Sequence, residues 1–421
     1  MSQLSVWRRW TRRFGPLGSR SLGAGILGAA AILVAGAAQA QPDGESFENW
    51  REDFRPRLAA SGASAATVSG MLDGLEPNMT IIERDRSQPE FVRPLWSYLD
   101  LAVSERRILD GQSARNRVPE LDAIAARYEV PANILLAIWG LESAYGQVTG
   151  DLDAIQSLAT LAWEGRRRDW AESQLIAIGQ MIDNGYASRE ELKGSWAGAM
   201  GQTQFIPTTY MERAQDWDGD GRRNIWTDEP DALASSAHLL GRAGWQAGAP
   251  IVVEVRLPDG FDLMDWDPSE ARPVSAWAMA GLRPSAERNW RADELMHSAR
   301  LELPVGRQGP GFLTFRNFRV IKRYNNSTAY ALAVAHLADR FAGADPFVGP
   351  WPEENVPLTR SQAMELQAGL NALGYDAGRP DGLVGPNTRR ALRAFQRAHG
   401  HDPDGYAGLT MHAAVREAQS D

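Results

Sequence analysis

The chain has 421 residues, with 44 Lys and Arg against 53 Asp and Glu, a formal charge of −9 and no cysteine. Disulfide scaffolds, thiolate zinc sites, iron–sulfur clusters and cysteine nucleophiles are therefore excluded. Residues 1–40 hold five arginines and no acid, so residues 41–421 carry 39 basic and 53 acidic groups, a balance of −14 that argues against general nucleic-acid binding.

Arg8, Arg9, Arg12, Arg13 and Arg20 precede a small-residue apolar run from Leu22 that ends in Ala38-Gln39-Ala40. This is the layout of an export signal cleaved after Ala40. A run of this length could also span a bilayer, but alanine and glycine are weakly apolar and the Ala-Gln-Ala ending favours cleavage. No cysteine follows the run, so lipid attachment is ruled out. The expectation is a soluble periplasmic protein with no stable membrane anchor.

From about residue 46 to 245 apolar residues recur at helical spacing, with stops at Gly146, Gly185 and Gly244. Pro131 to Gly146 reads as one helix, and Glu142 lies four residues after Ile138 and seven after Leu135, on its apolar face. A carboxyl there loses solvation in its charged form, which raises its pKa and suits it to donate a proton. On composition alone, a glutamate escaping to solvent at the helix end is the favoured reading, because glutamate is seldom buried unpaired. Lys193 to Tyr210 is rich in small residues that let backbone approach a ligand; Ser195, Gln202 and Gln204 offer neutral hydrogen bonds, and Trp196, Phe205 and Tyr210 offer flat faces. That combination suits a sugar, and by itself also suits a glycine-rich packing loop.

Asp216-Trp-Asp218-Gly-Asp220-Gly221 matches the first half of a calcium loop, although Thr227 stands where the closing glutamate belongs. An Asp-Gly turn without calcium is the competing reading. Between about 250 and 316 the pattern turns β-rich, with Ile251–Leu257, Ala299–Leu303 and Phe312–Phe315 separated by Pro-Asp-Gly and Gly-Pro-Gly turns, and helix returns at Ser327 to Phe341. Residues 344–357, with four prolines and one glycine, read as an extended linker. The tail from 358 to 417 carries a helix capped by Thr359, a Pro-Asp-Gly turn and a second helix after Gly385-Pro386, the pattern of a compact helical binding module.

Lys193 and Lys322 are the only lysines, and neither follows a serine by three, so the Ser-x-x-Lys of penicillin-binding enzymes is missing. The six histidines show no His-Glu-x-x-His spacing, which removes the usual support for zinc hydrolysis.

Taken together, Gly-Leu-Glu-Ser-x-Tyr-Gly, the Lys193–Tyr210 run, the acidic loop with Asn224 and Trp226, and Arg323-Tyr-Asn-Asn-Ser-x-x-Tyr330 resemble the B-type lytic murein transglycosylases over residues 45–343. The tail resembles the small peptidoglycan-binding domain. The resemblance implies an α+β fold: a mainly helical, lysozyme-like catalytic domain with a small inserted β subdomain, followed by a three-helix C-terminal module. It implies that Glu142 is the sole acid/base, protonating the bond between N-acetylmuramic acid and N-acetylglucosamine so that the muramoyl C6 hydroxyl closes a 1,6-anhydro ring. It further implies that Ser195, Gln204, Phe205, Tyr324, Asn325 and Tyr330 line the cleft. No cofactor is required for catalysis; a structural calcium would sit on Asp216, Asp218, Asp220, the Arg222 carbonyl and Asp231. The implied partner is peptidoglycan. Where family members show Gly-Tyr-Gly-Gln, this chain has Gly201-Gln-Thr-Gln204. A hydrolytic muramidase and an inactive wall-binding scaffold are the alternatives.

Overall fold

The structure, a computed structural model, describes residues 45–86, 93–264 and 266–420. The export signal read at residues 1–40 lies outside them. Among the described residues, no helix is long and apolar enough to cross a membrane.

Ser46 starts the described chain as a helix cap, its hydroxyl accepting the Asn49 amide, and the helix Phe47–Ala60 follows. Trp50, Phe54 and Leu58 recur every fourth residue and are fully buried. They join the helices Ala154–Glu164 and Arg168–Asp183 in one hydrophobic core. Burial of each such side chain stabilises the fold by roughly 1.5–3 kcal/mol.

A second core surrounds the helix Ala132–Ser143, which is buried at every position from Ile134 to Ser143. A helix apolar on all sides must be enclosed, and here the helices Glu105–Arg115, Leu121–Tyr128, Glu229–Arg242 and Thr328–Phe341 enclose it. A two-stranded antiparallel ribbon, β1 (Leu152–Asp153) with β2 (Lys193–Gly194), closes the loop region beside it. Strands this short leave no period for the sequence to reveal.

The β subdomain is a five-stranded antiparallel sheet of β3 (Val252–Arg256), β4 (Arg272–Pro273), β5 (Arg283–Pro284), β6 (Ser298–Glu302) and β7 (Gly311–Thr314), in the order β4-β6-β7-β3-β5. The register sets Val253 and Leu301 on either side of Leu313, and all three face a third core with Trp277 and Phe315. The helix Arg316–Tyr324 then begins earlier than the return of helix read at Ser327. Its few apolar residues stand among four basic ones, which hides the helical period.

Residues 344–356 carry neither helix nor strand, and they lie against the catalytic body instead of standing off it. Phe347 stacks on His336 at 4.0 Å and meets Phe312 edge-on at 5.1 Å. The Glu254 carboxylate accepts the Val348 and Gly349 amides, both at 2.9 Å. Beyond this strap, the helices Arg360–Ala372, Pro386–Ala398 and Leu409–Ala418 form the three-helix module around Leu366, Leu370, Leu392 and Phe395. A reciprocal cap between Thr359 and Gln362 opens it. The module is docked: Asp404 accepts the Arg307 amide at 2.9 Å, and Tyr406 belongs to the core of the catalytic body.

Candidate active site

Glu142 sits one residue from the end of its helix and is only 4 % exposed. Ala144, Tyr145 and Gly146 then turn the chain through three left-handed residues. Gly140 makes room for this reversal, because a side chain there would strike the Tyr145 ring. The helix therefore ends at Ser143, three residues before the expected stop at Gly146. Tyr330, buried on the helix Thr328–Phe341, donates its hydroxyl to Glu142 Oε1 at 2.6 Å. Burial pushes the Glu142 carboxyl up to about 8, while that hydrogen bond pulls the other way. No other charged group perturbs it among the described residues.

Tyr324 bridges the two helical cores, packing against both. Its hydroxyl donates to the Thr203 carbonyl at 2.7 Å and lies 3.2 Å from the Ser236 hydroxyl. Burial, and then the charge of Glu142, hold both the Tyr324 and Tyr330 hydroxyls well above the ordinary phenol value. Phe205 completes this wall, with its ring centroid 5.8 Å from that of Tyr324.

Gln204 has a left-handed backbone (φ 51°), a strained conformation for a residue other than glycine. Its side-chain amide donates to the Thr149 and Gly201 carbonyls, both at 2.9 Å, which leaves Oε1 buried and unpaired. Ser195 serves the loop itself: its hydroxyl accepts the Ala197 and Ala199 amides and shapes the small-residue turn. Gln202, where the family pattern differs, accepts from Trp139 Nε1 at 2.9 Å and donates to the Trp226 carbonyl. It ties the acid's helix to the loop. Asn325 is buried just past the end of the Tyr324 helix, its side-chain amide free of protein hydrogen bonds among the described residues.

One group went unnoticed in the sequence. Tyr98, on the helix Leu95–Ala102, lies within the electrostatic reach of Glu142, and its hydroxyl is pushed up to about 12 by burial and then by Glu142. No local motif marks it, because tertiary packing alone brings it to the site.

Asp216, Asp218 and Asp231 each place a carboxylate oxygen so that all three lie within 4.8 Å of one another. Asp231 is 1 % exposed and accepts the Trp217 and Asn224 amides, so the helix that starts at Glu229 is tied back onto the loop. Burial, together with Asp228 and Asp218, pushes the Asp231 carboxyl up to about 6. Three acids held this close fit a hard cation with oxygen ligands. Asp220 stands outside the group, with its carboxylate accepting the Arg222 amide.

A lone buried acid on a fully enclosed helix, faced by tyrosines and a glycine-rich wall, defines a lysozyme-like enzyme site. Residues 46–339 match the family described as "Transglycosylase SLT domain", and residues 359–415 match "Putative peptidoglycan binding domain". The chain belongs to the B-type lytic transglycosylase family and carries a C-terminal peptidoglycan-binding domain. It is 34% identical over 221 residues to membrane-bound lytic murein transglycosylase B of Escherichia coli K12, covering 51% of this chain and 58% of that protein. It resembles SltB3 of Pseudomonas aeruginosa, solved in complex with NAG-anhNAM-pentapeptide, at TM-score 0.85 and 46% identity over 89% of this chain and 100% of that one. It also resembles the E. coli lytic transglycosylase Slt35, solved in complex with calcium, at TM-score 0.59 and 27% identity over 70% of this chain and 92% of that one.

Proposed function

We propose that the protein is a periplasmic lytic transglycosylase that cleaves the MurNAc–GlcNAc β-1,4 bond of peptidoglycan and leaves 1,6-anhydro-MurNAc ends, with Glu142 as its only acid/base. The observation that carries this reading is the solitary, buried Glu142, protonated at neutral pH and aimed by Tyr330. Glu142 gives its proton to the glycosidic oxygen as the bond to muramoyl C1 breaks. The substrate's own acetamido oxygen stabilises the cation at C1. The carboxylate, its charged form supported by the Tyr330 hydrogen bond, then takes the proton of the C6 hydroxyl as that oxygen bonds to C1. No water is consumed and the acid returns to its starting state.

Ordinary glycosidases use two carboxylates about 5–10 Å apart. Here no second carboxylate acts on Glu142 among the described residues, which favours an internal nucleophile over hydrolysis. Gln204 Oε1 offers a buried acceptor for a substrate acetamido N–H, Asn325 offers a second amide, and Phe205 with Tyr324 covers a sugar face. Ser195 acts by shaping the loop that holds them. A calcium ion would be held by Asp216, Asp218 and Asp231, with Asp220 and the Arg222 carbonyl at the loop's edge. It would neutralise the clustered acids and fix the loop, and no step of the cleavage passes through it. The C-terminal module binds peptidoglycan, the glycan strands being both substrate and partner.

Mass spectrometry of digested sacculi tests the reading. Anhydro-muramoyl ends, lost in Glu142→Gln, are expected; ends that are all reducing would make the enzyme a muramidase. No release at all by the wild type would leave a wall-binding scaffold.

A further inference from the structure

Three elements bring basic side chains to bear on a single shared acid. Strand β6 supplies Arg300 and Glu302, the helix Arg316–Tyr324 supplies Arg319 and Lys322, and the module helix Pro386–Ala398 supplies Arg389 and Arg393. Glu302 is the acid they share, and Lys322, Arg389, Arg300 and Arg319 all act on it. Even so, Glu302 makes no salt bridge among the described residues, and the four guanidinium groups make no hydrogen bond to protein there. Arg300 Nε and Arg319 Nη1 are buried without a partner. Lys322 Nζ reaches only the Thr328 hydroxyl, at 3.2 Å.

Burial and neighbouring guanidinium groups weaken the basicity of Arg319 and Arg393, and burial alone does so for Arg389. Asp267 and Asp404 lie within reach of Arg393, but Ser269 takes the first, and Arg307, Gln396 and Tyr406 take the second. Buried N–H donors and charges left without partners destabilise a fold unless a ligand supplies the acceptor.

We propose that this seam is an anion-binding site for the carboxylates of a murein peptide stem. The inference rests on the transglycosylase reading. Guanidinium forks match carboxylates in geometry as well as charge. The site is built jointly by the catalytic body and the peptidoglycan-binding module, so its ligand must be something both engage. Arg319 lies five residues before Tyr324 on one helix, or about 7.5 Å along its axis. A stem of three to five residues on a sugar extends about 10–17 Å from it, longer than that axial separation.

The test uses the full chain and the free stem peptide released from sacculi by an amidase, measured by calorimetry. Wild type is expected to bind it, Glu142→Gln to bind it equally, and the Arg300→Gln/Arg319→Gln double variant to bind it about tenfold or more weakly, the loss of charge-assisted hydrogen bonds. The methyl-esterified peptide is expected to behave with wild type as the free peptide does with the variant. In turnover, the double variant should match wild type on glycan stripped of stems and fall behind it on intact sacculi. Equal binding by variant and wild type, or by free and esterified peptide, overturns the proposal. So does full displacement by inorganic phosphate at equal concentration, which would show an adventitious ion only. If wild type releases nothing from sacculi yet binds the stem through these arginines, the catalytic reading falls and the site stands.

Discussion

Tyr330 meets Glu142 across 188 positions of sequence, donating its hydroxyl to Oε1 at 2.6 Å in a buried contact. Burial outweighs this bond and leaves the carboxyl near 8. Because the donor must hold its proton, kcat/KM is expected to fall as pH rises through about 8. The same shift couples to folding. The folded value lies above the unfolded one of 4.5, so the contribution to stability is complete below 4.5 and is lost as pH rises through about 8. The ceiling is about 5 kcal/mol, and Glu142→Gln should flatten that part of the Tm–pH curve. Activity unchanged across the alkaline range would remove the buried-acid assignment.

Tyr330→Phe keeps the ring and deletes the donor. The bond favours the charged carboxylate, so its loss should move the alkaline limb of the rate profile upward while the rate itself falls by roughly tenfold to a hundredfold. A limb that moves downward would mean that the tyrosine favours the neutral acid, contrary to the hydrogen bond described.

The glycines of the loop beside the acid are expected to be intolerant for a steric reason. A side chain at Gly194 would point directly onto the Ala199 carbonyl oxygen, and one at Gly150, where φ is +89°, onto the Gly194 carbonyl. Gly194→Ala should therefore cost about 3 kcal/mol or more and abolish activity, since backbone must move. Gly248 has φ +70° but open space around it, so Gly248→Ala should cost only about 1 kcal/mol. Chemical denaturation of both variants separates clash from strain.

Glu142 was legible because its helix is periodic and the apolar face passes through it. Tyr330 and Tyr324 had no such signal of their own; only their place in a family pattern singled them out. Tyr98 and Gln202 acquire their roles through contacts that lie far apart in sequence, Gln202 through Trp139 sixty-three positions away. The strap at 344–356 shows how composition misleads. Prolines do prevent helix and strand there, but they do not prevent Phe347 from stacking on His336. The basic seam was invisible for a similar reason, with its arginines spread over three elements and two domains.

Glu254 pins that strap by accepting the Val348 and Gly349 amides. Glu254→Ala removes both acceptors at once and should loosen the segment without unfolding either domain. Limited proteolysis is expected to cut the variant within residues 345–357 several-fold faster than wild type, because local opening controls cleavage. Equal cutting rates would show that Phe347 packing alone holds the strap.

Calcium should act on stability and leave the chemistry alone. Asp231 closes the acidic group from a buried position at the start of the helix Glu229–Arg242, with both carboxylate oxygens already anchored on backbone amides. A cation there would neutralise three acids and tie the loop to the helix, and a ligand bound only by the native state raises its melting temperature. At one hundred times its dissociation constant the gain is about 2.7 kcal/mol, or a few degrees. Asp231→Asn should abolish the difference between calcium and chelator. Asp220→Asn should reduce it less, because that carboxylate stands outside the group of three. Identical melting curves for the wild type in calcium and in chelator would remove the ion from the account, and the loop would then be held by its own amide hydrogen bonds.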